Sequence, residues 1–176
     1  MKKIIFAISI TACAYFSAQV SIGGKQSVEG THTILDFNSM ASNTNGIILP
    51  AVTDISNALA ISPVNNNGTF LYDKGTGKVR MYENNTWVDL TDVGDQSAVI
   101  PNLSDDSSQN QGVIIGSETS DAKGVLVLES SDKALILPRI SSPHLTVKSP
   151  YPGMLCYDTV GLALAIFDGK VWSYWK

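Results

Sequence analysis

Gly68-Thr69-Phe70-Leu71-Tyr72-Asp73 is echoed later in the chain by Gly153-Met154-Leu155-Cys156-Tyr157-Asp158, and the match runs on without a gap, setting Tyr82 against Phe167 and Trp87 against Trp172. Short β-branched and aromatic runs punctuated by Gly, Asp and Asn read as strands and turns. Each copy therefore predicts a three-stranded meander. In the first, strand one covers Thr69 to Tyr72, a turn uses Asp73, Gly75 and Gly77, strand two covers Lys78 to Tyr82 and strand three Thr86 to Leu90. The second copy has Asp168-Gly169 at the tight turn, a pair that readily takes the positive φ values of a type I′ hairpin.

The correspondence extends upstream. Ile47-Ile48-Leu49-Pro50 matches Leu135-Ile136-Leu137-Pro138, Ser62-Pro63 matches Ser149-Pro150, and Val20-Ser21-Ile22-Gly23 parallels Val113-Ile114-Ile115-Gly116. A tandem duplication with a period near the length of a small domain explains this order. The Ile-Leu-Pro segment reads as a short apolar strand stopped by proline, which cannot donate to a ladder. In the first copy Thr53 or Asp54 can cap a short helix over Ile55 to Ile61, ended by Ser62-Pro63. Ser141-Ser142-Pro143-His144-Leu145 stands there in the second copy, so that helix is expected to be shorter or absent.

Between the copies, Thr91 to Gln111 is rich in Asp, Ser, Asn and Gln and reads as a solvated linker, with Val99-Ile100-Pro101 as a local pin. The expected architecture is mainly β: a first module over residues 19–90, a polar linker over 91–111 and a second module over 112–176. Each core is of a size at which burial barely offsets a backbone entropy cost of about 1–2 kcal/mol per residue. The modules should then pack on each other or on other chains.

Lys2 and Lys3 form a positive n-region, Ile4 to Phe16 an apolar h-region and Ser17-Ala18-Gln19 a small-residue cleavage site, so residues 1–18 read as a signal peptide too short to span a bilayer. A competing reading takes Ile10-Thr11-Ala12-Cys13 as a lipobox that leaves Cys13 lipidated, against which stands the apolar Ala14-Tyr15-Phe16. Removing residues 1–18 takes two lysines and no acids, so the formal charge moves from −4 to −6. An acidic chain without a Lys/Arg cluster has no footprint for nucleic acid or anionic lipid. Once Cys13 leaves, Cys156 is the only cysteine and no internal disulfide can form.

In Ile22-Gly23-Gly24, Leu35-Asp36, Gly46 to Pro50 and Gly68 to Trp87, and again in Ile115-Gly116, Leu126 to Ser130, Leu135 to Arg139 and Pro152 to Trp172, the chain resembles a repeat of secreted surface proteins of Bacteroidetes such as flavobacteria. Members of that family are similar to phage tail-fibre segments. The resemblance implies an extracellular, fibre-like structural or adhesive role and other protein chains as partners, as in a homotrimer. The chain stops at Lys176, directly after the second copy, without the C-terminal domains of longer members, so a periplasmic or outer-membrane-associated location is the alternative to surface display.

The residues suggest no enzyme and no cofactor. His32 and His144 lack metal-ligand spacing, and Cys156 aligns with Leu71 in an apolar strand, as a small buried hydrophobe would. Asp105-Asp106 and Asp92 with Asp95 lack the spacing of a calcium loop. Asp73 and Asp158 recur before glycine-bearing turns, as turn formers do. The aromatics remain: Tyr72, Tyr82 and Trp87, with Tyr157, Phe167 and Trp172, serve either as core or as a platform for a sugar ring. Tyr82, Trp87, Trp172, Tyr174 and Trp175 are the candidate ligand or partner surface, the last two because they replace Asp89 and Leu90. Asp158-Thr159-Val160 resembles an O-glycosylation site at Thr159. The leading expectation is a non-enzymatic structural or assembly module; the alternative is a cell-surface glycan-binding or adhesion module.

Overall fold

In the computed structural model, residues 19–59, 62, 66–100, 112–122 and 124–176 are described; the leader, Cys13, Ile61 and Pro63 fall outside them. Short apolar runs between turn residues become strands throughout. The first half contains β1 (Val20–Ile22), β2 (Thr33–Phe37), β3 (Ile47–Ile48), β4 (Ala51–Val52), β5 (Thr69–Asp73), β6 (Lys78–Glu83) and β7 (Thr86–Asp89). The second contains β8 (Val113–Ile115), β9 (Leu126–Leu128), β10 (Ala134–Leu135), β11 (Arg139–Ile140), β12 (Met154–Asp158), β13 (Ala163–Phe167) and β14 (Trp172–Trp175). Among the described residues one α-helical turn, α1 (Pro143–Thr146), precedes β12.

Both expected meanders form, and each gains a short parallel strand ahead of it. β4 runs beside β5 with Ala51 opposite Tyr72, and β11 runs beside β12 with Arg139 opposite Tyr157. The two sheets share strand order and direction, β4-β5-β6-β7 and β11-β12-β13-β14. Alternation along each strand sends neighbouring side chains to opposite faces. On one face, Tyr72 and Val79 of the first sheet meet Leu155 and Ile166 of the second, with Leu90 and Val99, in one buried cluster. Burial of side chains this size contributes roughly 1.5–3 kcal/mol each, and here no half holds the whole set. On its other face the second sheet packs Met154, Cys156, Ala165 and Phe167 against Ile140 and Val147.

Backbone pairing crosses between the halves as well. β3 adds antiparallel to β12, with Ile47 opposite Leu155, and β10 adds parallel to β2, giving a three-stranded sheet β1-β2-β10. The buried Asp36 of β2 anchors the loop beside this sheet, accepting from Lys25 Nζ at 2.5 Å and from the Glu29 N–H at 2.9 Å. Glu29 in turn pairs with Arg139 of the second half at 3.1 Å. Of the polar stretch 91–111, residues 91–100 lie against the core: Thr91 and Val99 are buried, and Asp95 caps a 3-10 turn at Gln96–Ala98. Residues 101–111 fall outside the described ones.

Two local expectations are corrected. Only Gly169 of Asp168-Gly169 has a positive φ; the pair with two left-handed residues is Asn84 (φ 48°) and Asn85 (φ 63°), in the other copy. Asp168 is held otherwise because its carboxylate accepts the N–H groups of Lys170 (2.7 Å) and Val171 (2.8 Å), an Asx-type turn that lengthens the loop. The first-copy helix is a 3-10 turn over Ile55–Ala58, no longer than α1. Asp54 does cap it, but its carboxylate also takes the Ser56 hydroxyl (2.6 Å) and the Asn57 amide (3.0 Å), local bonds that compete with helix propagation.

The segment after β7 seals the joint. Tyr72 donates its hydroxyl to the Asp168 carbonyl at 3.1 Å, and Trp175 Nε1 donates to the Leu90 carbonyl at 2.6 Å. A Cβ on Gly94 would overlap the Asp168 backbone, and one on Gly169 would overlap that of Asp95. Gly94→Ala should therefore destabilise the protein by about 1–3 kcal/mol through overpacking, read as a lower midpoint in chemical denaturation; an unchanged midpoint would show that the two halves do not depend on this close approach.

Candidate functional site

The aromatic positions separate into core and edge. Tyr82 is buried and meets Trp87 edge-on across β6 and β7, with ring centroids 5.2 Å apart. Phe167 and Trp172 form the corresponding pair across β13 and β14 at 5.4 Å. Half-buried Trp87 and Trp172 thus turn toward neighbouring rings of their own sheets. Tyr174 and Trp175 differ, being 40% and 45% exposed on the edge strand β14. Their backbone partners are Ala165 and Leu164, so the two rings leave the strand on opposite faces. Tyr174 is hydrogen-bonded through its hydroxyl to His144 Nδ1 at 2.9 Å, while Trp175 reaches Leu90. They do not make one continuous platform.

Titratable groups are placed for structure. Cys156 is fully buried, and burial, with the nearby Asp158 charge, pushes its thiol up to about 12. A thiol so disfavoured as thiolate is a poor nucleophile. His32 Nδ1 lies 3.3 Å from the Asp132 carbonyl, far in sequence from the His144–Tyr174 pair. Among the described residues no group of three or more His, Cys, Asp or Glu could hold a metal ion, and no helix is long and apolar enough to cross a membrane. Asp73 accepts from the Gly75 N–H (2.8 Å) and the Thr76 hydroxyl (2.8 Å), and pairs with Arg80 at 3.1 Å. Asp158 accepts from the N–H groups of Ser142 (3.0 Å) and Val160 (2.9 Å). Both carboxylates are engaged within the chain, Asp73 by its turn and Arg80, and Asp158 by its turn and Ser142. Thr159 follows on that turn with its side chain exposed and its N–H on the Ile140 carbonyl at 3.0 Å.

The feature that remains, among the described residues, is a set of apolar strands none of whose side chains is buried. β8 and β9 form a two-stranded parallel sheet in which Val113 faces Leu126, Ile114 faces Val127 and Ile115 faces Leu128. All six side chains are apolar and none is buried. Parallel sheets occur almost only with both faces covered, and an isolated pair of short strands is marginal in water. Val113 is 61% and Leu126 45% exposed, and Val125 beside them 70%. Val20 and Ile114 to Gly116 line a shallow groove between β1 and β8. Ile48 of β3 and Leu135 of β10 are likewise exposed. The signal for this surface was present in Val113-Ile114-Ile115 and Leu126-Val127-Leu128, which are apolar at every position where a half-solvated strand would alternate.

This partly exposed sheet coincides with a recognisable region. Residues 114–176 match the family described as the phage tail like trimerisation region. The similarity runs from β8 through β14, and it supports the tail-fibre likeness read from the sequence over that half. No curated protein and no solved structure matches the chain.

Asp158 gives a test of how the matched region is held. Burial pushes its carboxyl up, but the N–H groups of Val160, Gly161 and Ser142, with His144 nearby, outweigh burial and hold it below its ordinary 3.8. A carboxyl depressed by folding contributes stability above its unfolded pKa and loses it as pH falls through the lower folded value. Asp158→Asn should cost on the order of 1–2 kcal/mol at neutral pH, and the gap to the unsubstituted protein should shrink below about pH 4. Denaturation midpoints measured across pH would show this; a gap of constant size would mean that the charge is not what the turn uses.

Proposed function

We propose that the chain is a non-enzymatic, fibre-like structural or assembly module that works as a self-associated unit of three copies. The observation that carries this reading is the β8–β9 sheet, six apolar side chains with none buried, at the head of the stretch similar to a trimerisation region. Apolar area left at the surface of one chain is removed from water when copies join. The recurrence of strand order between the two meander sheets supports two repeated modules, over residues 19–90 and 112–176, that exchange the strands β3 and β10. The N-terminal pattern of residues 1–18 supports export, and with it a role at the cell envelope or outside the cell.

Glycan binding has less to stand on, because Tyr174 and Trp175 leave β14 on opposite faces and their polar atoms already have partners within the chain. Light scattering after size exclusion on residues 19–176 decides between the two. The expected mass is that of three chains, unchanged on dilution. A monomer at every concentration, retaining glycan binding that Tyr174→Ala or Trp175→Ala abolishes, would overturn the structural reading.

A further inference from the structure

The two Ile-Leu-Pro segments are each used along one edge, and the edges are opposite ones. In the second half, Ala134 and Ile136 donate to the carbonyls of His32 (2.7 Å) and Leu35 (3.0 Å), which sets Leu135 opposite Leu35 on β2. In the first half, Ile47 lies opposite Leu155 of β12, and Leu49 donates to the Gly153 carbonyl at 3.0 Å. By sequence, Ile47 stands where Leu135 does and Ile48 where Ile136 does. Successive N–H groups of a strand point to opposite edges. The Ile47 and Leu49 edge of β3 therefore serves β12, whereas the Ile48 edge, equivalent to the one that β10 lays on β2, carries no strand among the described residues. Ile48 itself is 48% exposed.

The matching vacancy is on β9. β2 has β1 on one edge and β10 on the other. β9 has β8 on one edge, in the register that β1 holds on β2: Val113 opposite Leu126 as Val20 is opposite Leu35. Its second edge carries no strand among the described residues, and the exposed Leu126 stands where Leu35 is buried under β10. One chain thus presents a strand edge and an acceptor edge of the kind that it joins elsewhere, and does not pair them with each other.

We propose that the free edge of β3 in one chain adds, in parallel, to the free edge of β9 in a second copy. Ile47 then lies opposite Leu126, and the Ile48 N–H is donated to the Leu126 carbonyl. The inference rests on the three-copy reading above and specifies its seam. The contact is head-to-tail, since every copy offers one edge of each kind, and such contacts close into a ring when the rotation between copies completes a turn. β9 lies inside the stretch similar to a trimerisation region and β3 outside it. The first half supplies the strand that the second half lacks.

The test co-expresses two forms of residues 19–176, one with Ile47→Cys and one with Leu126→Cys, so that the new disulfide forms only between chains; Cys156 is buried. The expected result is a disulfide-linked dimer on a non-reducing gel, several-fold above that from Ile48→Cys with Leu126→Cys, whose side chains leave on opposite faces. In the unsubstituted protein the Ile48 amide should exchange slowly with solvent. A three-chain mass with equal cross-linking of the two pairs, or with a rapidly exchanging Ile48 amide, would overturn this seam and leave the three-copy reading standing. A monomer at every concentration would overturn both.

Discussion

Backbone pairing between the halves of the chain is the constraint on which the rest of this structure depends. Ile47 and Leu49 lie along β12, and Ala134 and Ile136 lie along β2, so each half lends a strand to a sheet that the other half built. A half of this length has too little apolar area to fold securely alone. The exchange, together with the cluster joining Tyr72 and Val79 to Leu155 and Ile166, turns two inadequate cores into one. The close approach of Gly94 and Asp95 to Asp168 and Gly169 follows from it, as do the Tyr72 and Trp175 hydrogen bonds that cross the joint.

That arrangement also accounts for what is left over. The core takes most of the repeated aromatics: Tyr72 and Tyr82 are buried, and Trp87 and Trp172 lean on their own sheets. Trp175 is a clasp between the halves as much as a surface residue. The Val113-Ile114-Ile115 and Leu126-Val127-Leu128 pair is only partly covered, with none of its six side chains buried, although its sequence is that of a sheet buried on both faces. A self-associating role is the simplest physical use of such a surface. Among the described residues, nothing comparable gathers around the histidines, the buried thiol or the turn aspartates.

The sequence carried the meanders well. Thr69–Asp73, Lys78–Glu83 and Thr86–Asp89 lie where alternation and turn residues put them, and the mainly β class followed from the same signals. The Asp168-Gly169 turn was misread because its geometry depends on a buried carboxylate bonding Lys170 and Val171, which dipeptide preference does not express. The short strands β4 and β11 were missed because two residues after a proline carry no period of their own. Of the aromatic half of the candidate site, the sequence left core and surface roles open, and the structure puts Tyr82 in the core, Trp87 and Trp172 against rings of their own sheets, and Tyr174 and Trp175 on the edge. The apolar half was readable only as composition, since β8 and β9 look in sequence like any buried strand.

What the sequence determined by itself is local: which runs are extended, where the chain turns, and that the same order of elements comes twice. Those properties live in side chains and their spacing, which neighbouring residues decide among themselves. Which strand lies beside which was decided only by the tertiary structure. A strand edge is made of the same N–H and C=O groups whatever the side chains are, so Ile48 and Ile136 read alike in sequence, while Ile136 gives its N–H to Leu35 and the N–H of Ile48 faces an edge that carries no strand among the described residues. The choice between those fates is made by packing across the whole chain, in the cluster around Tyr72, Leu155 and Ile166.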